Sequence, residues 1–100
     1  MSVFMLLRLS GDPDQFERYA NENADLVRRI AAAGQAAGAT RHAFAGADGE
    51  ILVIDEWPDP ESFQRFFDSQ PEIPQLIQDA GAQGPPQISF YRKLDTPDAF

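Results

Sequence analysis

The sequence predicts an α+β domain of ferredoxin-like βαββαβ order: one antiparallel sheet in strand order 4-1-3-2, with two helical layers on one face. Three observations lead there. The chain resembles itself at a fixed offset, each half reads as strand, helix, strand, and an Asp-Gly hairpin signal joins the halves. At an offset of 47 residues, Asp12, Pro13, Phe16, Arg18, Ile30, Ala33 and Gly34 fall on the identical Asp59, Pro60, Phe63, Arg65, Ile77, Ala80 and Gly81. The same shift sets Asp14 on Glu61, Tyr19 on Phe66 and Phe44 on Tyr91. Residues 1–100 therefore read as one domain with an internal repeat, its halves about 1–47 and 48–95.

The first strand is the apolar run Val3 to Leu9. Asp12 then supplies an N-cap and Pro13 suits the first helical position, where its missing N–H is not needed. Phe16, Tyr19, Asn23, Leu26, Val27, Ile30 and Ala33 recur at three- and four-residue steps, which predicts one helix with a mainly apolar stripe, ended by Gly34 or Gly38. Thr40 to Ala45 is the second strand and Glu50 to Trp57 the third. Asp59 and Pro60 open the second helix, which carries Phe63, Phe66 and Phe67, breaks near Pro71 and Pro74 and resumes through Ile77 and Ala80. Gln87 to Leu94 closes the sheet.

Val3-Phe4-Met5-Leu6-Leu7 and Ile51-Leu52-Val53-Ile54 are continuous apolar runs rather than alternating ones, so both faces of the central strands call for burial. Helices cover one face. The same face of a second copy is the simplest cover for the other, which predicts a homodimer with a closed or nearly closed barrel between subunits.

Composition narrows the partners. A formal net charge of −8 opposes both nucleic acid and anionic membrane, so neither is expected. Without cysteine and with one histidine the chain offers no thiolate or His-rich metal centre, and neither a metal nor a cofactor is expected. The N-terminal apolar run lacks a basic leader and a small-residue cleavage site, which points to a strand in a cytoplasmic protein. No phosphate loop, nucleotide fingerprint or serine triad is present.

The chemical signal lies on the hairpin. Asp48-Gly49 suits a two-residue turn with both central residues at positive φ, and such a turn pairs residues whose numbers sum to 97. Phe44 then faces Val53, His42 faces Asp55 and Thr40 faces Trp57 on one side of the sheet, with Arg41 opposite Glu56 on the other. A three-residue loop would exchange these faces. In this register the only histidine and the only tryptophan share a surface, and a carboxylate beside the imidazole holds one ring nitrogen as donor and leaves the other as base. The plainer readings are a solvated His-Asp contact on an outer hairpin, and Trp57 as a packing plug before Pro58.

The stretch Glu56-Trp57-Pro58-Asp59-Pro60-Glu61-Ser62-Phe63-Gln64-Arg65-Phe66-Phe67 resembles the strand-to-second-helix segment of the dimeric α+β-barrel proteins, especially the antibiotic-biosynthesis-monooxygenase group. The element order agrees over nearly the whole chain. The resemblance implies a homodimer with a ligand cavity between helices and sheet in each subunit. Some relatives oxidise polycyclic phenols without metal or flavin; others degrade haem, remodel small metabolites or have no assigned activity. Trp57 corresponds to the tryptophan of the haem degraders, but Phe66 and Phe67 stand where such relatives carry a helical histidine, which argues against haem ligation of that kind.

The expected function is a cofactor-independent monooxygenase acting on a small aromatic or quinol-like substrate. His42 is its base and Asp55 the orienter, Trp57 and Tyr91 form aromatic walls, and Tyr19 and Phe67 are further substrate contacts. The rival reading is a non-catalytic dimeric module that binds a small molecule, with His42 structural.

Overall fold

Both Asp-Pro pairs open helices in the computed structural model, which describes residues 2–100. Strand β1 (Val3–Ser10) leads into helix α1 (Pro13–Glu22), and the later strand Glu50–Trp57 leads into the helix Pro60–Ser69. The Asp12 carboxylate accepts from the Asp14 N–H at 2.9 Å and Asp59 accepts from the Ser62 N–H at 2.7 Å, with the prolines in the first helical turn.

The first helical stretch differs from expectation. It is two helices, α1 and α2 (Ala24–Ala36), hinged at Asn23, whose backbone leaves the helical region (φ −117°, ψ 41°). The Asn23 side chain donates to the Tyr19 carbonyl at 2.9 Å, a local bond of the kind that lets asparagine interrupt a helix. The apolar stripe survives the bend: Phe16 is buried, and Tyr19, Leu26, Val27 and Ile30 pack on the core.

Strands β2 (Arg41–Ala47) and β3 (Glu50–Trp57) form the hairpin. Helices α3 (Pro60–Ser69) and α4 (Glu72–Asp79) follow, divided where the prolines predict. Pro74 lies in the first turn of α4, where an N–H is dispensable, and Ala80 caps α4 rather than extending it. Strand β4 (Gln83–Arg92) begins four residues before the expected Gln87. It is an edge strand, and Pro85 and Pro86 are tolerated there because an outward N–H is not required.

Glycine geometry decides where the helical segments stop. Gly38 (φ 123°) and Gly81 (φ 95°) each follow a helix in the left-handed half of φ space. In both cases a Schellman pair closes the end: Ala39 N–H to Gly34 C=O and Gly38 N–H to Gln35 C=O after α2, Ala82 N–H to Ile77 C=O and Gly81 N–H to Gln78 C=O after α4. Gly34 instead lies inside α2. The structural counterpart of Gly81 is thus Gly38, four residues beyond the position that sequence identity selects. The starts of α1 and α3 keep the offset of 47, whereas the ends of α2 and α4 depart from it by about one turn.

The sheet order is β2-β3-β1-β4, the expected 4-1-3-2 read from the other edge, and every pair is antiparallel. The hairpin register is also as expected, with Arg41 opposite Glu56, His42 opposite Asp55 and Phe44 opposite Val53. The turn differs in one respect: only Gly49 takes positive φ (71°), while Asp48 stays negative and avoids the clash its Cβ would meet. Thr40 lies just outside β2, its N–H donating to the Glu56 carbonyl at 2.9 Å.

Strand alternation divides the central residues cleanly. Met5, Leu7, Leu9, Ile51, Val53 and Trp57 are buried beneath the helices with Phe16, Phe63, Leu76 and Ala80. Phe4, Leu6, Leu52 and Ile54 lie between them along the strands and so occupy the face without helices. Glu56 shares that face. It is buried and accepts from the Ser2 hydroxyl at 2.7 Å, Arg41 Nε at 3.2 Å and Lys93 Nζ at 3.3 Å, so its pairing with Arg41 is one part of a larger cluster. The Ser2 hydrogen bond, followed by the Lys93 and Arg41 charges, holds its carboxyl below the usual glutamate range despite burial.

Candidate functional site

The hairpin register places His42 and Asp55 side by side on the helical face, and two further residues along β3 bring Trp57 to the same face. Asp55 is 6% exposed and uses both carboxylate oxygens: Oδ1 lies 2.7 Å from His42 Nδ1, and Oδ2 accepts from the Trp57 indole N–H at 3.1 Å. A carboxylate can only accept and the indole can only donate. His42 Nδ1 is therefore the protonated nitrogen, and Nε2, on the other edge of the ring, keeps its lone pair in the neutral imidazole.

Trp57 is 1% exposed and fixed from two sides, with Phe63 at 5.6 Å in an edge contact and Phe66 at 5.4 Å in a tilted one. It is thus a packing plug and a hydrogen-bond donor at once. Phe44, two residues along β2 from His42, meets the imidazole edge-on at 5.1 Å and Phe16 at 4.9 Å. These contacts limit the rotation of the imidazole.

The three residues line a cavity between α2, α3, α4 and the sheet. Its other walls are apolar, among them Met5, Leu7, Val27, Ile30, Phe44, Val53, Phe63, Phe66, Ile73 and Leu76. About 100 Å³ of it is open to the centre of a water molecule. Gly34 contributes to this space: a Cβ there would lie 3.4 Å from the Phe66 ring. Because both Asp55 oxygens are engaged, His42 Nε2 is the free polar atom that this triad can offer a ligand. A larger open groove of about 800 Å³ runs between the start of α1 and the hairpin; its charged lining is Asp12, Asp14, Glu17 and Asp48, and no histidine reaches it.

Three residues expected at the site lie elsewhere. Tyr91 pairs with Phe4, so alternation turns it to the face without helices, where it is 51% exposed. Phe67 is rotated about 100° from Phe66 around α3; it stacks on Phe63 at 5.5 Å and lines a different groove with Pro74 and Ile77. Tyr19 packs on the core from α1, outside the cavity lining. The aromatic walls are instead Phe44, Phe63 and Phe66. The signal for Phe44 was present, since the register that joins His42 to Asp55 also turns Phe44 to that face. Helical spacing likewise sets Phe63 and Phe66 three residues apart on one side of α3.

Among the described residues no group of three or more His, Asp or Glu side chains is arranged to hold a metal ion, and no helix is long and apolar enough to cross a membrane.

No family model and no curated protein matches the chain. Solved structures do. The chain is similar to SnoaB, a cofactor-independent oxygenase from Streptomyces nogalater, at 21% identity over 98% of both chains with a TM-score of 0.63. It is similar to the ActVA-Orf6 monooxygenase of Streptomyces coelicolor, solved with the ligand Nanaomycin D, at 14% identity over 97% of this chain and 93% of that one, with a TM-score of 0.66. A conserved protein from Methanosarcina mazei Go1 aligns at 16% identity over 94% of each chain, with a TM-score of 0.68. At these identities the likeness is one of fold, and this chain has the α+β fold of the antibiotic-biosynthesis-monooxygenase-like proteins, as the strand-to-helix segment led one to expect.

Proposed function

We propose that this chain is a cofactor-independent monooxygenase that oxidises a small aromatic or quinol-like substrate in the cavity beneath its helices. One observation carries the reading: Asp55 binds both His42 and Trp57 at the wall of an apolar cavity, with the His42 side chain at its rim, 40% exposed. His42 Nε2 takes the proton of an acidic phenol or methylene group, and Asp55 stabilises the imidazolium that forms. The aromatic walls pack against the delocalised anion. The anion passes an electron to dioxygen, the two radicals join through a new C–O bond, and the proton held by His42 completes a hydroperoxide. Loss of water from that species leaves a carbonyl, so a methylene group and one dioxygen become a ketone and one water. The likeness to proteins described as a cofactor-independent oxygenase and a monooxygenase supports this choice of chemistry, although fold alone does not confer activity.

On this reading the working unit is a homodimer joined through the sheet face that carries Phe4, Leu6, Leu52 and Ile54. The rival reading, a binding module without turnover, draws on the small size of the cavity and on Asp55 having both oxygens satisfied. Oxygen consumption in metal-free buffer, measured with a panel of single-ring quinols, decides between them. The expected result is uptake by the wild type and a loss of about 10²- to 10⁴-fold in His42→Ala with the fold intact. Equal rates would remove His42 from the mechanism, and no uptake by the wild type across the panel would favour the binding module.

A further inference from the structure

His42 has open space on two sides. Beyond the inner cavity lies a shallower hollow between α2 and the start of β2, and the two share Ala31, Ala39 and His42 as lining. The hollow measures about 350 Å³ and presents Arg28, Gln35 and Thr40 around His42. Arg28 and Gln35 lie two turns apart on one side of α2. Arg41 also borders the hollow, but its guanidinium is directed to the opposite sheet face, where Nε meets Glu56 at 3.2 Å. Arg28 is therefore the cation that this hollow offers. It is exposed and only loosely associated with Asp25, at 3.8 Å. No carboxylate lines the hollow, although the chain carries a net charge of −8.

The inner cavity, with about 100 Å³ of open space, is smaller than the ~150 Å³ apolar cavity that accommodates benzene. A space of that size takes only part of one ring, so a ligand bound there extends past His42 toward the hollow that shares its lining. We propose that the ligand is a single-ring hydroxyaromatic anion: the hydroxyl end of the ring enters the inner cavity against His42, and a carboxylate projects outward to Arg28, Gln35 and Thr40. The inference rests on the reading of the inner cavity as the ligand site, and adds a substrate class and a specificity residue to it. The overall negative charge repels anions at a distance, so a local cation whose carboxylate neighbour, Asp25, lies 3.8 Å away and outside the hollow's lining is what makes an anion acceptable here.

Because Trp57 is the only tryptophan and lines the cavity, its fluorescence reports occupancy. The probes are 4-hydroxyphenylacetate and its neutral analogue 4-hydroxyphenylacetamide, titrated into wild type and Arg28→Gln at low salt. The acid is expected to bind the wild type about two- to fivefold more tightly than the amide, the range of an exposed charge contact. This preference should shrink with added salt and vanish in Arg28→Gln. Equal binding of acid and amide by the wild type, or a preference that persists in Arg28→Gln, overturns the anionic class and leaves the cavity as a ligand site. Absence of quenching by both compounds, with no change in the single His42 imidazole signal by NMR, overturns the proposal together with the cavity reading.

Discussion

Asp55→Asn separates the electronic role of the carboxylate from its structural one. Asp55 accepts from two donors, His42 Nδ1 at 2.7 Å and Trp57 Nε1 at 3.1 Å, whereas asparagine offers one oxygen and one NH₂. The indole can only donate, so the amide oxygen must turn to Trp57 and the NH₂ must face His42. Imidazole can adapt by moving its proton to Nε2, so that Nδ1 accepts. The variant then keeps both hydrogen bonds but blocks the nitrogen assigned as base. Each bond changes from charge-assisted to neutral, a difference of about 1 kcal/mol, so two bonds lose about 2 kcal/mol at most. Relief from burying a charge lowers that figure. At about 4–8 °C per kcal/mol for a domain of this size, the melting temperature should fall by no more than roughly 15 °C. With one histidine and one tryptophan in the chain, the imidazole and indole ¹⁵N resonances are unambiguous. NMR should show the wild-type proton on Nδ1 and the variant proton on Nε2, with the indole N–H still hydrogen-bonded. Turnover should fall about 10²- to 10⁴-fold, comparable with His42→Ala. An unchanged tautomer in the variant, or full activity with the proton on Nε2, refutes the reasoning.

Static light scattering at micromolar concentration should give twice 11.1 kDa, because the sheet face with Phe4, Leu6, Leu52 and Ile54 calls for a second copy; the monomer mass would defeat that argument. Gly38→Ala should destabilise by about 1 kcal/mol or more in thermal unfolding, since φ is 123° and a Cβ would meet Pro58 at 3.0 Å, whereas Gly34→Ala, inside α2 with ordinary contact to Phe66, should be neutral or stabilise by up to about 1 kcal/mol. Glu56 and Asp59 are both held below their ordinary pKa values of 4.5 and 3.8, Glu56 chiefly by the Ser2 hydroxyl and Asp59 chiefly by the Ser62 N–H. Their stabilisation is full above those ordinary values and is lost as pH falls through the lower folded-state values. Denaturant midpoints should therefore be flat from neutrality to about pH 5 and fall below it, and replacing Ser2 by alanine should flatten part of that decline.

Local chemistry sufficed for much of this molecule. Each Asp-Pro pair offers a side-chain acceptor and a residue without N–H, and that combination specifies a helix start whatever surrounds it. The Asp48-Gly49 turn sets the hairpin register, and a period of two then brings His42, Asp55 and Trp57 to one face before any packing is considered. Which of several allowed local bonds forms, and what depends on contacts distant in sequence, was not legible. Asn23 reads as one more position on a stripe, and only its bond to the Tyr19 carbonyl turns one helix into two. Identity aligns Gly34 with Gly81, but the C-terminal Schellman bonds select Gly38, because α2 runs on to Ala36 and encloses the glycine that leaves room for Phe66. Tyr91 resembles a site residue by type, yet its ladder partner Phe4 places it on the other side of the sheet. That strands alternate and aspartate caps helices follows from the bonds of neighbouring residues; that an apolar cavity is left beneath the helices, and which rings close it, follows only from how the helices pack on the sheet.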